Sequence, residues 1–295
     1  MMRAHLIGSA ARELLTELPR GMAVNLGRWC LALARPPRVS CAGTRRAKAS
    51  GIAAIAVLLV VTVVSMFFLD AAASDWARHQ PRWFVDVFEE ITNFGLSGWF
   101  LYPLGFLLLV LAAVASAALP RTAQAVLAAL VARCGFLFVA IGAPGLFVTI
   151  VKRLIGRARP YVGGHDNPFL YKPFIWRPEY ASMPSGHATT AAAAAIAIGA
   201  LSPRLRVVMW LYALIIMFSR VVVLAHHPSD VVAGALVGAV GALMVRRVFA
   251  ARRLAFSPVD LRPYPWPTLR RLKALVRQIA ASATVGLRCG NETAD

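Results

Sequence analysis

Apolar runs recur along the chain at lengths that predict membrane-spanning helices, since about 18 or more uncharged residues reach across a bilayer. Ile52–Leu69 and Gly98–Leu119 carry no charge. A third run, Gln124–Val151, is broken by Arg133 and continues without charge from Cys134. Ser185–Ser202 is rich in alanine, and Val207–Ala225 holds one charge, Arg220. Asp230–Arg246 is short but bracketed by residues suited to two interfaces. The pattern predicts an all-α, polytopic membrane protein with six transmembrane helices. The first run follows a 50-residue tail, longer than the leader of a secretion signal, so it is read as retained. In the last run Gly234 and Gly238 are four apart, the spacing that lets two membrane helices approach closely.

Composition agrees: the 295 residues are 59% hydrophobic and 15% charged, outside the usual soluble range. The formal charge of +19 has a clear distribution, because 19 of the 32 basic residues lie in residues 1–50 and 246–295. For a chain with six spans this basic bias predicts two cytoplasmic tails attracted to anionic lipid, and argues against a nucleic-acid partner. Both tails inside require an even number of spans, which six satisfies. The short connections holding Arg121, Arg204 and Arg206 then fall inside, and the acidic segment Asp70–Ser97 falls outside. One connection breaks the rule. Lys152–Pro184 falls outside yet carries Lys152, Arg153, Arg157, Arg159, Lys172 and Arg177, which suggests that its charge holds an anion.

The expected organisation is a basic cytoplasmic tail over 1–50, a six-helix membrane domain over 51–249, and a second basic tail over 250–295. In the first tail Leu14, Leu15, Leu18 and Met22 are read either as a short interfacial face or as part of a loosely ordered segment. In the second, alternating prolines and aromatics over Pro263–Pro267 predict an extended stretch. Leu269, Leu272, Val276 and Ile279 then recur at helical spacing beside Arg270, Arg271, Lys273 and Arg277. That pattern fits an amphipathic helix, lying on the inner leaflet or packing on the protein itself. Cys30, Cys41, Cys134 and Cys289 show no metal-ligand spacing and are expected to be reduced thiols.

Three short stretches concentrate the ionisable residues at the outer ends of the later spans. In the first, Lys152 and Arg159 are seven apart and share one face if the helix continues to Pro160. Two cations on one face suit a multiply charged anion, although a snorkelling basic cluster at a membrane boundary is the better account of this stretch alone. In the second, Pro184-Ser185-Gly186-His187, serine is a preferred helix N-cap and glycine lets a ligand approach free amides, which attract phosphate. In the third, Arg220 sits within an apolar run, where an unpaired guanidinium is costly. His226 follows in a connection and Asp230 in the next first turn, from which its carboxylate can fix an imidazole tautomer. The predicted topology brings all three stretches to the same end of the bundle. The result is a phosphate pocket with two histidines.

Over about 80 residues, Lys152 to Asp230, the chain resembles the type 2 phosphatidic acid phosphatase superfamily, or lipid phosphate phosphatases. The three-part signature is complete: Lys152 to Arg159-Pro160, then Pro184-Ser185-Gly186-His187, then Ser219-Arg220 to His226 and Asp230. The resemblance implies a membrane lipid phosphatase with no metal or other cofactor. In it His226 is the nucleophile that forms a phosphohistidine, Asp230 orients it, and His187 protonates the leaving oxygen. Lys152, Arg159, Ser185, Gly186 and Arg220 bind the phosphate. The related haloperoxidases are disfavoured by six spans. A lipid phosphotransferase using the same pocket is the alternative enzyme, and a transporter or scaffold with a vestigial site is the non-enzyme alternative, disfavoured by the intact signature. Phosphatidate, phosphatidylglycerol phosphate, a polyprenyl diphosphate and a lipid A phosphate all fit, with Lys172 and Arg177 favouring a diphosphate or a large anionic headgroup. The expected setting is a bacterial inner membrane, with the site on the periplasmic side and no oligomeric state readable.

Overall fold

The computed structural model describes residues 19–37, 45–116, 118–162 and 167–292, of which 45–50 and 281–292 by their backbone alone. Leu14, Leu15, Leu18 and Cys41 lie outside it. The described residues form helices without strands: α1 (residues 19–34), α2 (Arg45–Phe68), α3 (Asp70–Arg78), α4 (Arg82–Asn93), α5 (Gly98–Val114), α6 (Arg121–Ile155), α7 (Gly186–Leu201), α8 (Arg206–Val222), α9 (Pro228–Ala251) and α10 (Leu269–Glu292). A helix stands at each of the six predicted spans. Among the described residues, five stretches are long and apolar enough to cross a membrane: Gly51–Phe68, Arg82–Val114, Arg121–Ile155, Pro203–Val222 and Pro228–Ala251. α7 has 16 residues, about 24 Å at 1.5 Å each, and falls short of a ~30 Å hydrocarbon layer.

α7 is the central helix rather than a lipid-facing one. Its run Ala191–Ala195 is at most 1% exposed, and α6, α8 and α9 pack around it. Alanine and glycine allow this approach, since membrane helices associate through close packing and not through a hydrophobic drive. A Cβ on Gly238 would stand 2.2 Å from the Thr189 carbonyl oxygen, and one on Gly234 would stand 2.4 Å from that of Ser185. The predicted small-residue pair is therefore the seam that seats α9 on α7. Conversely, Ile52, Val57, Val60 and Phe67 of α2 are largely exposed, which suits a lipid-facing surface.

Both flanking segments fold back on the bundle. α1 is helical, where part of the tail was open to a loosely ordered reading. Its Asn25 Nδ2 donates to the carbonyls of Ala112 (3.0 Å) and Ala115 (2.9 Å), satisfying free acceptors at the end of α5. α10 packs on the protein through Leu272, Leu275 and Ile279, against Leu111, Leu119, Ala123, Val126 and Leu127. Leu269 and Val276 remain exposed. Buried Arg133 explains the Pro263–Pro267 stretch. Its Nη2 donates to the Tyr264 and Pro265 carbonyls at 2.7 and 2.9 Å, and its guanidinium lies 4.8 Å from the Trp266 ring centre. Cys30 and Cys134 are free thiols.

Candidate active site

The site forms where α6 and α8 end and α7 and α9 begin. α6 does not continue to Arg159, as a shared helical face required. It ends at Ile155, and Gly156 takes a left-handed φ of +64°. A Cβ there would meet the Lys172 carbonyl oxygen at 1.8 Å, so only glycine allows the chain to turn under this loop. Lys152 stays on the last turn of α6, and Arg159 reaches the site from the loop. Its backbone N–H donates to the Glu179 carbonyl at 2.9 Å and its Nε to the Pro178 carbonyl at 3.0 Å.

Lys152, Arg159 and Arg220 lie close enough to act electrostatically on His187. Arg220, Arg159 and His187 act in the same way on His226. The structure thus gathers the three cations and two histidines that are far apart in sequence. Ser185 occupies the N-cap position of α7 but makes no side-chain capping bond. Its Oγ is buried without a hydrogen-bond partner among the described residues, as is Nε of Arg220. A side chain on Gly186 would meet no atom within 4 Å, so there is open space beside the first amide of α7. Buried polar atoms are costly when unpaired, and these two, beside a helix N-terminus, suit the oxygens of a phosphate group.

His226 is 4% exposed and sits in the connection between α8 and α9, whose backbone folds back so that its N–H donates to the Arg220 carbonyl at 3.1 Å. Burial, then the positive fields of Arg220 and Arg159 and the neighbouring His187, hold its imidazole well below the ordinary histidine range. The ring is therefore neutral at physiological pH, with a lone pair free for attack. Asp230 is fully buried. Its Oδ2 is 3.9 Å from His226 Nδ1, beyond the direct hydrogen bond that the spacing suggested. Ser182 fills the gap: its Oγ donates to Asp230 Oδ2 at 2.6 Å and lies 3.4 Å from His226 Nδ1. His227 turns away toward Ser74, 3.3 Å from its Nδ1, while its backbone N–H donates to Asp230 Oδ2 at 2.9 Å.

Several residues at the site carry no local signal in the sequence. Thr92, at the end of α4, accepts from Nη1 of Arg220. Gly95, at the corner between α4 and α5, faces His187 and Ile216. Asp70 is marked only as an acid closing the first apolar run. Arg157 was grouped with the cations of its loop, yet it is buried and bonded to Asp70 and Asp230.

Residues 133–254 match the model of the PAP2 superfamily, a stretch that includes every signature residue. A lipid A 1-phosphatase of Rhizobium johnstonii is 36% identical over 222 residues, covering 75% of this chain and 88% of that protein. The chain belongs to the PAP2 superfamily. A second relative, a lipid A 1-phosphatase of Rhizobium etli, is 34% identical over 75% of this chain and 93% of its own length. The crystal structure of a transmembrane PAP2-type phosphatidylglycerolphosphate phosphatase from Bacillus subtilis matches 65% of this chain and 94% of its own, at 20% identity and a TM-score of 0.45. With its apolar helices, this PAP2 chain is a multi-pass membrane lipid phosphatase of the type 2 phosphatidic acid phosphatase kind.

Proposed function

We propose that this phosphatase removes the phosphate at position 1 of a lipid A-type glycolipid, through a phosphohistidine on His226 and without a metal ion. The observation that carries the mechanism is the cluster itself: a neutral, buried His226 beside the fixed cations Arg220 and Arg159, with the unpaired Ser185 Oγ at the start of α7. Fixed charges and helix-end amides stabilise the charge that develops in phosphoryl transfer. The substrate class is supported by the two relatives named lipid A 1-phosphatase. Lys172 and Arg177 support it too, being exposed on the loop whose Pro178 and Glu179 carbonyls hold Arg159.

His226 Nε2 attacks phosphorus, and the bond from phosphorus to the lipid oxygen breaks. His187, protonated once the charge of the bound phosphate offsets the cations around it, gives its proton to that oxygen. Lys152, Arg159, Arg220, Ser185 and the Gly186 amide hold the other oxygens. Water then attacks the phosphohistidine and gives a proton to His187; inorganic phosphate leaves and both histidines are restored. The distribution of basic residues supports a site on the periplasmic side of a bacterial inner membrane, with both termini cytoplasmic.

The test is phosphate release by detergent-purified protein, with EDTA present, from bisphosphorylated lipid A, phosphatidate and a polyprenyl diphosphate. The expected result is preferential loss of the position 1 phosphate from lipid A, read by mass spectrometry, with rates unaffected by EDTA. Preference for phosphatidate with lipid A untouched rejects the substrate, and activity abolished by EDTA rejects the metal-free mechanism. Phosphate appearing on a second lipid instead of in solution identifies a phosphotransferase.

Two further results are expected. A lowered pKa means that His226 takes up a proton only at lower pH, so its neutral form survives mild acid. Once the substrate's own ionisation near pH ~6 is divided out, the acid limb of kcat/KM should fall below the ordinary histidine value of about 6.5. A limb at or above that value contradicts the reading. In Gly95→Ala, the new Cβ would stand 2.6 Å from Ile216 Cγ2 and 2.9 Å from His187 Cδ2. One of them must shift, and misplacing His187 should lower kcat roughly ten- to hundredfold with KM little changed. Steady-state kinetics on the folded variant checks this; an unchanged kcat speaks against the contact mattering.

A further inference from the structure

Behind His226 lies a buried charge network whose far end is Asp70, the first residue of α3 and no part of the three signature stretches. Asp70 Oδ2 accepts from Arg157 Nη2 at 2.7 Å and from Ser229 Oγ, and its Oδ1 accepts from the Ser229 backbone N–H at 3.0 Å. Arg157 places its other donors on Asp230 Oδ1, on Ser229 Oγ at 2.7 Å and on the Pro168 carbonyl at 2.9 Å. Arg157, Asp70 and Asp230 have fully buried side chains. Asp230 Oδ2 then reaches the His226 ring through Ser182.

The charges do not cancel. One guanidinium faces two carboxylates, so the cluster carries one net negative charge. Were Arg157 paired with Asp230 alone, the carboxylate behind the nucleophile would be neutralised. Asp70 takes up Arg157 from the other side and prevents this. The surplus has a use, because attack through Nε2, with the proton kept on Nδ1, leaves a positive charge on the imidazole. The other charged groups bearing on the ring, Arg220 from α8 and Arg159 from the loop, are cationic, and His187 faces it from α7. Asp230, from α9, is the carboxylate within 4 Å. In a site that excludes water such a charge acts strongly.

We propose that Asp70 is a positioning residue for the phosphatase reaction: by holding and offsetting Arg157 it leaves the charge of Asp230 available, through Ser182, to the His226 ring as that ring becomes cationic. This rests on His226 being the nucleophile. It also gives the corner between α2 and α3 a part in the chemistry of residues beyond position 150.

The experiment compares Asp70→Asn, Asp70→Glu and Ser182→Ala with the parent in detergent, with His226→Ala as control and thermal unfolding as a check on folding. Asparagine keeps the shape and removes the charge. It should lower kcat by roughly ten- to hundredfold, the scale on which outer-layer hydrogen-bond partners act, with KM within about threefold. Its acid limb should move to lower pH, because losing a nearby negative charge makes the ring harder to protonate. Asp70→Glu should recover most of the lost kcat. A folded Asp70→Asn with parental kcat and an unmoved acid limb overturns the proposal. So does a folded Asp70→Glu as impaired as Asp70→Asn. If Asp70→Asn does not fold, a folded and active Asp70→Glu supports the proposal and a folded but inactive one overturns it. If neither folds, Ser182→Ala decides: a lowered kcat at constant KM supports the link to Asp230, and a parental kcat overturns it. Activity surviving in His226→Ala would instead reject the nucleophile, a failure distinct from that of Asp70.

Discussion

His226→Ala lowers phosphate release by at least about 10³-fold, the scale expected when a covalent nucleophile is removed, and leaves the protein folded. The loss is large because no other group can take its place. His227 is adjacent in sequence but points to Ser74, behind Asp230. His187 is on α7, among Arg220, Arg159 and Lys152, and in the proposed mechanism it serves the leaving oxygen. Folding survives because the His226 side chain is tied to Ser182 alone among the described residues, through its backbone and its Oγ at 3.4 Å. The connection is held instead by backbone bonds, from the N–H groups of Ala225 and His226 to the Arg220 carbonyl. Substrate should still bind, since Lys152, Arg159, Arg220 and Ser185 remain. Lipid phosphate binding by the inactive variant, measured beside its thermal unfolding, separates lost chemistry from lost structure.

Arg157→Ala has the largest expected effect on stability. It leaves the Asp70 and Asp230 carboxylates buried with no countercharge, and breaking such a pair from one side costs about 3–5 kcal/mol. The guanidinium's own state shows how firmly it is held. Burial opposes its charge, yet Asp230 and Asp70 more than offset this and raise its pKa above the ordinary value. Arg157 also ties three elements together: α3 through Asp70, α9 through Ser229 and Asp230, and the loop through the Pro168 carbonyl and the bond from the Ser182 N–H to its own carbonyl. Arg157→Lys should recover only part of the loss, because a single ammonium cannot span all these acceptors. Unfolding of the purified protein in one detergent compares the three. A cost within about 1 kcal/mol for the alanine variant would contradict a structural role for the pair.

The membrane helices were legible because a span is a local property, written in one run of apolar residues. α6, α8 and α9 start and stop within a few residues of the predicted bounds, and α9 meets α7 along Gly234 and Gly238. The three signature stretches were equally legible, since they lie at or just beyond the ends of such runs. Fates decided by distant partners were not. Lys152, Arg153, Arg157 and Arg159 read alike as cations in an outer loop, yet Gly156 ends the helix between them and Arg157 turns inward. Nothing near Asp70 in sequence reports that residues 157 and 229 will pair with it. Ser182 stands three residues before Ser185 without a spacing that marks it. Arg133 read as a lone charge in a span, because its acceptors, Tyr264 and Pro265, lie more than 130 positions away.

The most direct measurement is to trap the intermediate. Folded protein is mixed with a lipid phosphate radiolabelled at the scissile group, quenched within one turnover, and digested to locate the label. Label that is acid-labile and alkali-stable, carried by the peptide containing His226 and absent from His226→Ala, is the expected result. Label on another residue, or turnover with no labelled protein at any quench time, would contradict a phosphohistidine at this position.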